Sequence, residues 1–213
     1  MLISEHHLQI SYTARYYLNG KADPGKPFWL VLHGYGQLAK FFVRKFQPLA
    51  DAGHTVIAPE GLSRFYLNGF SGRVGATWMT KEDRLVDIQN YISYLSQLCQ
   101  ELVPDGARLY VLGFSQGAAT ASRFITYTSQ EINAYIQWAG KFPVDVPLNL
   151  TRDKMNKIPI RLVYGNADEF VNVKDIESEI AYLKQFSPDF KQISFKGGHV
   201  IEELALHKLL DSL

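Results

Sequence analysis

A serine flanked by glycines is the feature of this sequence best suited to chemistry. The run GFSQG at positions 113–117 fits the pattern G-x-S-x-G and lies between a predicted strand, 109–112, and a predicted helix, 116–127. The two glycines permit a sharp strand-to-helix turn, which raises the serine hydroxyl above the sheet at a helix N-terminus. This context predicts that Ser115 is a nucleophile. Without it, the same pattern would be an ordinary glycine-rich turn.

A serine hydroxyl is a poor nucleophile at neutral pH, so the hypothesis requires a histidine base and an orienting carboxylate. Among six histidines, His199 follows two glycines directly after the last predicted strand, and such loops lie at the carboxyl edge of an open sheet. Asp168 stands in the turn after an earlier predicted strand, 161–164. We therefore predict His199 as the base and Asp168 as the acid. Asp145 and Asp175 are the alternative acids.

The tetrahedral intermediate of acyl transfer needs N–H donors aimed at its oxyanion. The backbone N–H of Gln116, directly after the serine, is one predicted donor. The glycine-containing loop 33–36 follows the predicted strand 28–32, and we predict the N–H of Tyr35 as the second donor. His33, which begins this loop, is expected to brace it by hydrogen bonding rather than to take part in catalysis.

The same loop supports a competing hypothesis. Residues 34–39 read G-x-G-x-x-A between a predicted strand and a predicted helix, and Glu60 follows the next strand. This arrangement matches the dinucleotide-binding fingerprint and would indicate a nicotinamide-dependent oxidoreductase. It leaves the serine turn, the Asp168 turn and the Gly-Gly-His199 loop unexplained. A third hypothesis is a binding module that keeps the fold but has no turnover.

Taken together, these motifs resemble the phospholipase/carboxylesterase family of the α/β-hydrolase superfamily, which includes acyl-protein thioesterases. The matching segments are 32–36, 113–117, 164–171 and 197–199, within about residues 28–212. The chain order serine, aspartate, histidine is also that of the superfamily. The resemblance implies a cytoplasmic serine hydrolase that needs no cofactor and cleaves a small-molecule or lipid ester through an acyl-enzyme. Thioesters and lysophospholipids are further possible substrates.

The segment between the second predicted strand and residue 82 departs from the family pattern. It carries Phe65, Tyr66 and Trp78, three aromatic residues in a connection without clear periodicity. We expect them to line the acyl or aryl pocket. The alternative is that they only pack this connection onto the domain. The physiological acyl group and leaving group are not determined by the sequence.

Short apolar runs alternate with longer segments of helical period, which is typical of a mostly parallel sheet with helices on both faces. The sequence thus predicts an α/β fold, with 1–213 as a single α/β-hydrolase domain. An antiparallel edge strand or hairpin is expected over 8–18, and the stretches 61–80 and 140–157 have no clear period. The other predicted strands cover 55–58, 135–138 and 192–195, and the other predicted helices cover 40–52, 82–102, 173–186 and 200–210.

Composition excludes several classes of protein. Lys plus Arg is 22 and Asp plus Glu is 21, so no bulk positive field would attract nucleic acid. No window approaches the roughly 18 apolar residues of a membrane span, and no signal-peptide pattern is present, so we expect a cytoplasmic protein without stable membrane insertion. Metal-ligand motifs are missing, and the lone Cys99 is expected to be a buried thiol. The oligomeric state is left open.

Overall fold

A seven-stranded sheet with the order β1-β3-β2-β6-β7-β8-β9 forms the centre of the computed structural model, which describes residues 2–171 and 173–213. Its first strand runs antiparallel to β3, and the other strands are parallel to their neighbours. The predicted fold class and the antiparallel edge are confirmed. The strands of the sheet are β1 (Tyr16–Asn19), β2 (Phe28–Leu32), β3 (Thr55–Pro59), β6 (Leu109–Phe114), β7 (Ala134–Trp138), β8 (Ile160–Gly165) and β9 (Phe190–Phe195).

Helices cover both faces of the sheet because the parallel strands are apolar on both sides. In β2, Leu30 and Leu32 pack into one core, whereas Trp29 and Val31 pack into the other. Helices α3 to α6 contribute to the first core and α1, α2 and α7 to the second. The helices are α1 (Ala39–Phe42), α2 (Gln47–Asp51), α3 (Arg84–Leu102), α4 (Gln116–Tyr127), α5 (Leu148–Met155), α6 (Val173–Leu183) and α7 (Glu203–Leu210).

The prediction of one helix over 40–52 is wrong. The segment is divided into α1, a turn of 3₁₀ helix over Val43–Phe46, and α2. Pro48 lies in the first turn of α2, where a missing N–H is tolerated, whereas within a continuous helix it would remove a hydrogen bond. A proline at this position therefore starts a new helix.

The two stretches without clear period contain regular structure. Within 61–80, β4 (Ser63–Tyr66) pairs with β5 (Val74–Thr77) as a separate antiparallel hairpin. Within 140–157 the chain forms α5. Several predicted boundaries also move: the edge strand begins at Tyr16, and α7 begins only after Glu202, whose carboxylate caps the helix by accepting from the N–H groups of Leu204 and Ala205.

The strand order places the loops after β2 and β6 side by side. The chain moves from β2 to β3 on one side of the sheet and later continues through β6 to β9 on the other. In open α/β sheets, the crevice at such a reversal, outside the carboxyl ends of the strands, is the usual binding site. None of the helices within 2–171 and 173–213 is long and apolar enough to cross a bilayer.

Candidate active site

The serine turn after β6 has a strained backbone. Ser115 has φ 55° and ψ −118°, a conformation that is rare for any residue with a side chain. Its N–H donates to the carbonyl of Trp138 at 2.9 Å. The flanking glycines permit close packing, because a Cβ on Gly113 would lie 2.2 Å from the Gly117 oxygen and a Cβ on Gly117 would lie 2.2 Å from the Leu32 oxygen. Substitution of either glycine would displace the turn.

Asp168 and His199, which the sequence pairs as acid and base, are in contact. Nδ1 of His199 lies 2.8 Å from Oδ2 of Asp168. Because a carboxylate only accepts, Nδ1 carries the proton and donates it in this hydrogen bond, which leaves Nε2 with a lone pair. The second carboxylate oxygen accepts from the N–H of Phe170 at 2.9 Å. The Asp168 side chain is fully buried, and that of His199 is 16% exposed, so the base keeps access to a substrate.

Two aromatic rings hold the imidazole in place. The Phe114 ring lies 4.8 Å from the His199 ring, centroid to centroid, and the Phe170 ring approaches nearly edge-on at 4.9 Å. Phe114 directly precedes Ser115, so this contact puts the histidine beside the serine turn. Phe170 follows the acid by two residues and is largely exposed. The packing restricts imidazole rotation, and the sequence pattern did not single out either phenylalanine.

The loop after β2 lies against the serine turn. A Cβ built on Gly34 would lie 3.1 Å from the Cβ of Ser115. In this loop the N–H of Gly34 donates to the side chain of Gln37, and the N–H of Gly36 donates to the carbonyl of Ala76, both at 2.9 Å. The Tyr35 N–H has no acceptor in the described part of the chain. It is therefore available to a ligand, as the predicted oxyanion role requires.

His33 braces this loop, as predicted. Its Nδ1–H donates to the carbonyl of Gly34 at 2.8 Å, and its Nε2 accepts from the N–H of Gly61 at 3.0 Å. This pattern fixes the neutral form of the ring, since a protonated Nε2 could not accept. Burial without a charged partner lowers the pKa of His33 to about 4. The histidine therefore joins the loop after β2 to the loop after β3 and does not exchange protons near neutral pH.

Gln116 has a structural role that the sequence did not reveal. Its side-chain amide donates to the hydroxyl of Thr77 and to the carbonyl of Met79, both at 2.9 Å, and its Oε1 accepts from the N–H of Trp78 at 3.2 Å. The side chain thus attaches the end of the β4–β5 hairpin to the serine turn. Its backbone N–H, the other predicted oxyanion donor, is the first of α4 and has no acceptor within that helix.

The three aromatic residues predicted to line the pocket occupy different environments. Trp78 is 2% exposed, and its indole N–H donates to the carbonyl of His33 at 2.8 Å. The ring of Phe65 packs on that of Tyr35 with 5.1 Å between centroids, and Tyr66 is half exposed on the hairpin. The buried Trp78 side chain therefore supports the loop after β2. Binding of substrate by these residues stays a prediction.

A cavity of about 720 Å³ opens beside His199, within the size range of small-molecule sites. Its walls come from both sides of the site: the loop after β2 together with α1, and the loop after β9. None of the three predicted pocket aromatics belongs to its lining, which consists of Gly36, Gln37, Leu38, Phe41, Phe42, Lys45, Arg73, Val74, Phe114, His199, Val200 and Ile201.

The alternative acids have other partners. Asp145 binds the guanidinium groups of Arg84 and Arg123, each at 2.7 Å, and these charges hold the pKa of its carboxyl below the ordinary value although burial opposes them. Asp175 pairs with Lys141 at 2.9 Å. Of the three candidate acids, Asp168 is the one that the structure shows in a hydrogen bond with His199, and its role as the acid stays a prediction.

Glu60, the acidic residue of the dinucleotide hypothesis, already binds other groups of the protein. Glu60 is buried, one of its oxygens accepts from Arg15 at 3.0 Å, and the other accepts from the N–H of Ala39 at 3.2 Å. A carboxylate engaged on both oxygens does not serve a ribose. Within the described residues, one group of side chains is close enough together to bind a metal ion: Glu5, His7 and Asp83, all of them exposed. None of the three belongs to the Asp168–His199 pair.

Comparison with known proteins identifies the family of the chain and agrees with its fold. The sequence model of the phospholipase/carboxylesterase family matches residues 17–213. Acyl-protein thioesterase 2 of Zea mays superposes with a TM-score of 0.72 at 20% identity, over 93% of this chain and 97% of that one. Esterase PE8 superposes with a TM-score of 0.70 at 22% identity, over 95% of this chain and 100% of that one. The Bacillus cereus carboxylesterase superposes with a TM-score of 0.69 at 15% identity, over 93% of this chain and 92% of that one. A search of curated protein sequences finds no match.

Proposed function

The chain belongs to the phospholipase/carboxylesterase family of hydrolases, and from this premise we propose that it cleaves carboxylic esters through an acyl-enzyme formed on Ser115. The observation that carries the proposal is the hydrogen bond between Asp168 and His199 beside the strained serine turn. Acyl transfer requires a nucleophile, a base and an orienting acid, and Ser115, His199 and Asp168 follow three different strands at one edge of the sheet.

In the first half-reaction, Oγ of Ser115 attacks the ester carbonyl carbon and its proton passes to Nε2 of His199. Asp168 keeps the Nδ1–H tautomer in place and stabilises the imidazolium. The oxyanion of the tetrahedral intermediate accepts from the N–H groups of Tyr35 and Gln116. When the intermediate collapses, the carbon–oxygen bond of the ester breaks and Nε2 returns the proton to the departing alkoxide, which leaves as an alcohol.

The second half-reaction repeats these steps with water. Nε2 of His199 takes a proton from a water molecule while the water oxygen attacks the acyl carbon. The same two N–H groups hold the new oxyanion. Collapse breaks the bond to Ser115, whose oxygen recovers the proton from Nε2, and the carboxylic acid leaves. Atoms and charge balance without a cofactor, since the only reactants are ester and water.

Thioesters and lysophospholipids would pass through the same acyl-serine, so the triad does not distinguish them from simple esters. A structural neighbour is named an acyl-protein thioesterase, and the family name includes phospholipases. Rates on 4-nitrophenyl butyrate, butyrylthiocholine and a lysophosphatidylcholine would rank the three classes. 4-Nitrophenolate and the thiocholine thiolate are leaving groups of similar basicity, so a large difference between the two butyryl substrates in either direction would indicate that contacts with the leaving group govern the rate.

A fluorophosphonate probe tests the proposed function most directly, because only an activated serine reacts with it rapidly. We expect covalent labelling of the peptide that contains Ser115, measured by mass spectrometry, together with hydrolysis of 4-nitrophenyl butyrate. The substitution Ser115→Ala should abolish labelling and lower kcat on the order of 10⁴-fold or more.

Ser129→Ala is the matched control, since Ser129 is exposed just beyond the other end of α4. The Ser129→Ala variant should be labelled and should hydrolyse the ester like the unmodified protein. An unlabelled Ser115 in folded protein would favour the binding-module hypothesis. Labelling that survives Ser115→Ala would assign the nucleophile elsewhere.

A further inference from the structure

The cavity beside His199 has an uneven charge. Lys45 and Arg73 are among its lining residues, and no aspartate or glutamate is. Most of the remaining wall is apolar, as at Leu38, Phe41 and Ile201. An apolar site with two cationic side chains and no carboxylate is suited to a ligand that has a hydrocarbon portion and a negative charge.

Neither cation is neutralised by the protein. Lys45 comes from the 3₁₀ turn between α1 and α2, and Arg73 comes from the hairpin just before β5. Within the described residues, neither forms an ion pair, whereas Arg15, Arg84, Arg123 and Arg161 each pair with a carboxylate. Both side chains are exposed. Two like charges that line one cavity favour an anion between them, because the anion offsets their mutual repulsion.

The surface next to the cavity adds to the positive potential. Arg44 places its guanidinium 5.4 Å from the centre of the Phe41 ring, and the ammonium group of Lys40 lies 5.9 Å from the same centre. Phe41 itself lines the cavity. These two cations lie next to a wall residue of the cavity, where they add to the attraction of anions.

We propose, on the basis of the ester hydrolysis argued above, that the substrate is an ester carrying a separate anionic group, a carboxylate or a phosphate, which binds Lys45 and Arg73 while hydrocarbon contacts Phe41 and Ile201. Arg binds such groups through a planar fork of donors, and Lys binds them as a point charge. The scissile carbonyl then lies at Ser115, several bonds away from the anion.

Two matched esters test the proposal: mono-4-nitrophenyl suberate, which ends in a carboxylate, and 4-nitrophenyl octanoate, which has the same acyl length and ends in a methyl group. The measured quantity is the ratio of their kcat/KM values. We expect Lys45→Met and Arg73→Met each to lower the suberate-to-octanoate ratio about threefold, and the double variant to lower it about tenfold, as for exposed charge pairs. The ratio cancels any effect of the substitutions that is common to both esters.

The double variant Lys157→Met/Lys184→Met removes the same charge from exposed positions outside the cavity and should leave the ratio unchanged. Added salt should shrink the difference between the unmodified protein and the Lys45/Arg73 double variant, because the Debye length falls from about 10 Å at 0.1 M to about 3 Å at 1 M. If both double variants give the same ratio, the anion does not lie on the acyl portion, while ester hydrolysis stands. If the unmodified protein hydrolyses none of the esters, the proposed function itself is wrong.

A second pair of substrates locates the anion. The butyrate ester of 6-hydroxyhexanoate carries the carboxylate on the alcohol portion, and hexyl butyrate is its neutral match; released alcohol is measured by chromatography. A Lys45/Arg73 dependence confined to the suberate pair assigns the anion to the acyl portion. A dependence confined to the second pair assigns it to the alcohol portion. The absence of any dependence in both pairs overturns the proposal.

Discussion

Two histidines lie at the same edge of the sheet, and their surroundings are opposite. His33, after β2, is fully buried and has both ring nitrogens bonded to backbone groups. His199, after β9, has one nitrogen bonded to the carboxylate of Asp168 and borders the cavity. Both rings are flanked by aromatic side chains. The two loops thus use the same residue type in different ways.

The difference lies in the partner of each ring rather than in the ring itself. A carbonyl and an amide N–H fix His33 as a neutral connector, because the burial of a charge there has no compensation. A carboxylate behind His199 stabilises the imidazolium that a general base must become. In the proposed mechanism, the loop after β2 therefore supplies backbone donors, and the loop after β9 carries the group that exchanges protons. The predictions below test this division.

The largest effect is expected at the carboxylate behind His199. Asp168→Asn should lower kcat for 4-nitrophenyl butyrate on the order of 10⁴-fold with little change in Tm, because an amide no longer holds the Nδ1–H tautomer. Asp145→Asn is the matched change at a carboxylate without this contact. It should keep most of the activity but lose about 2 to 3 kcal/mol of stability, since Arg123 would be left buried without its partner. The reverse pattern would exchange the roles of the two acids.

Substitution of the structural histidine should act on stability first. His33→Gln loses the two-sided bridge between the loops after β2 and β3 and part of the ring packing, so we expect a loss of about 3 kcal/mol in the free energy of unfolding. Activity of the folded fraction should fall less than about tenfold, as only the oxyanion loop is loosened. Urea denaturation measures the loss. His207→Gln, on the exposed face of α7, should be neutral, and equal stability of both variants would contradict the brace.

The pH dependence of stability tests whether His33 stays neutral in the folded protein. The folded-state pKa of His33 is lowered to about 4, so as the pH falls the unfolded chain binds this proton first. Its contribution is complete above the ordinary pKa of about 6.5 and is lost as the pH falls toward 4. Between pH 7 and pH 5 the unmodified protein should lose about 2 kcal/mol more than His33→Gln does. If the stability of the two proteins depended on pH in the same way, folding would not lower the pKa of His33.

The smallest effect is expected behind the loop after β2. Trp78→Phe removes the indole N–H that donates to the His33 carbonyl and should cost about 1 kcal/mol, without altering the ratio of kcat/KM between butyrate and octanoate esters. Phe41→Ala, on the cavity wall, should alter that ratio while leaving stability nearly unchanged. A changed chain-length preference in Trp78→Phe would return this residue to the substrate pocket.

The candidate site could be predicted because each of its members follows a predicted strand. Ser115, Asp168 and His199 come after β6, β8 and β9, and parallel strands deliver their carboxyl ends to one edge. The apolar runs that mark β6 and β8 are local, and β9 follows from the Gly-Gly-His199 loop after it. The division at Pro48 was also present in the sequence, since a proline breaks a predicted helix.

The β4–β5 hairpin could not be read in the same way. Its strands are only four residues long, and β4 is largely exposed, so neither shows the alternation of a half-buried strand. Its position depends on contacts distant in the chain: the Gln116 side chain binds its end, and the Gly36 N–H donates to Ala76. Such hydrogen bonds leave no periodic signal in the sequence.

The sequence by itself determined the α/β class and predicted Ser115, Asp168 and His199 as the candidate site residues, because hydrophobic period and glycine spacing are properties of neighbouring residues. Only the tertiary structure decided that Asp168 rather than Asp145 contacts His199, that Trp78 is buried, and that Lys45 and Arg73 share a cavity. These are relations between segments far apart in the chain. They depend on how side chains pack and on which charges find partners, and both are fixed only when the loops meet at the sheet edge.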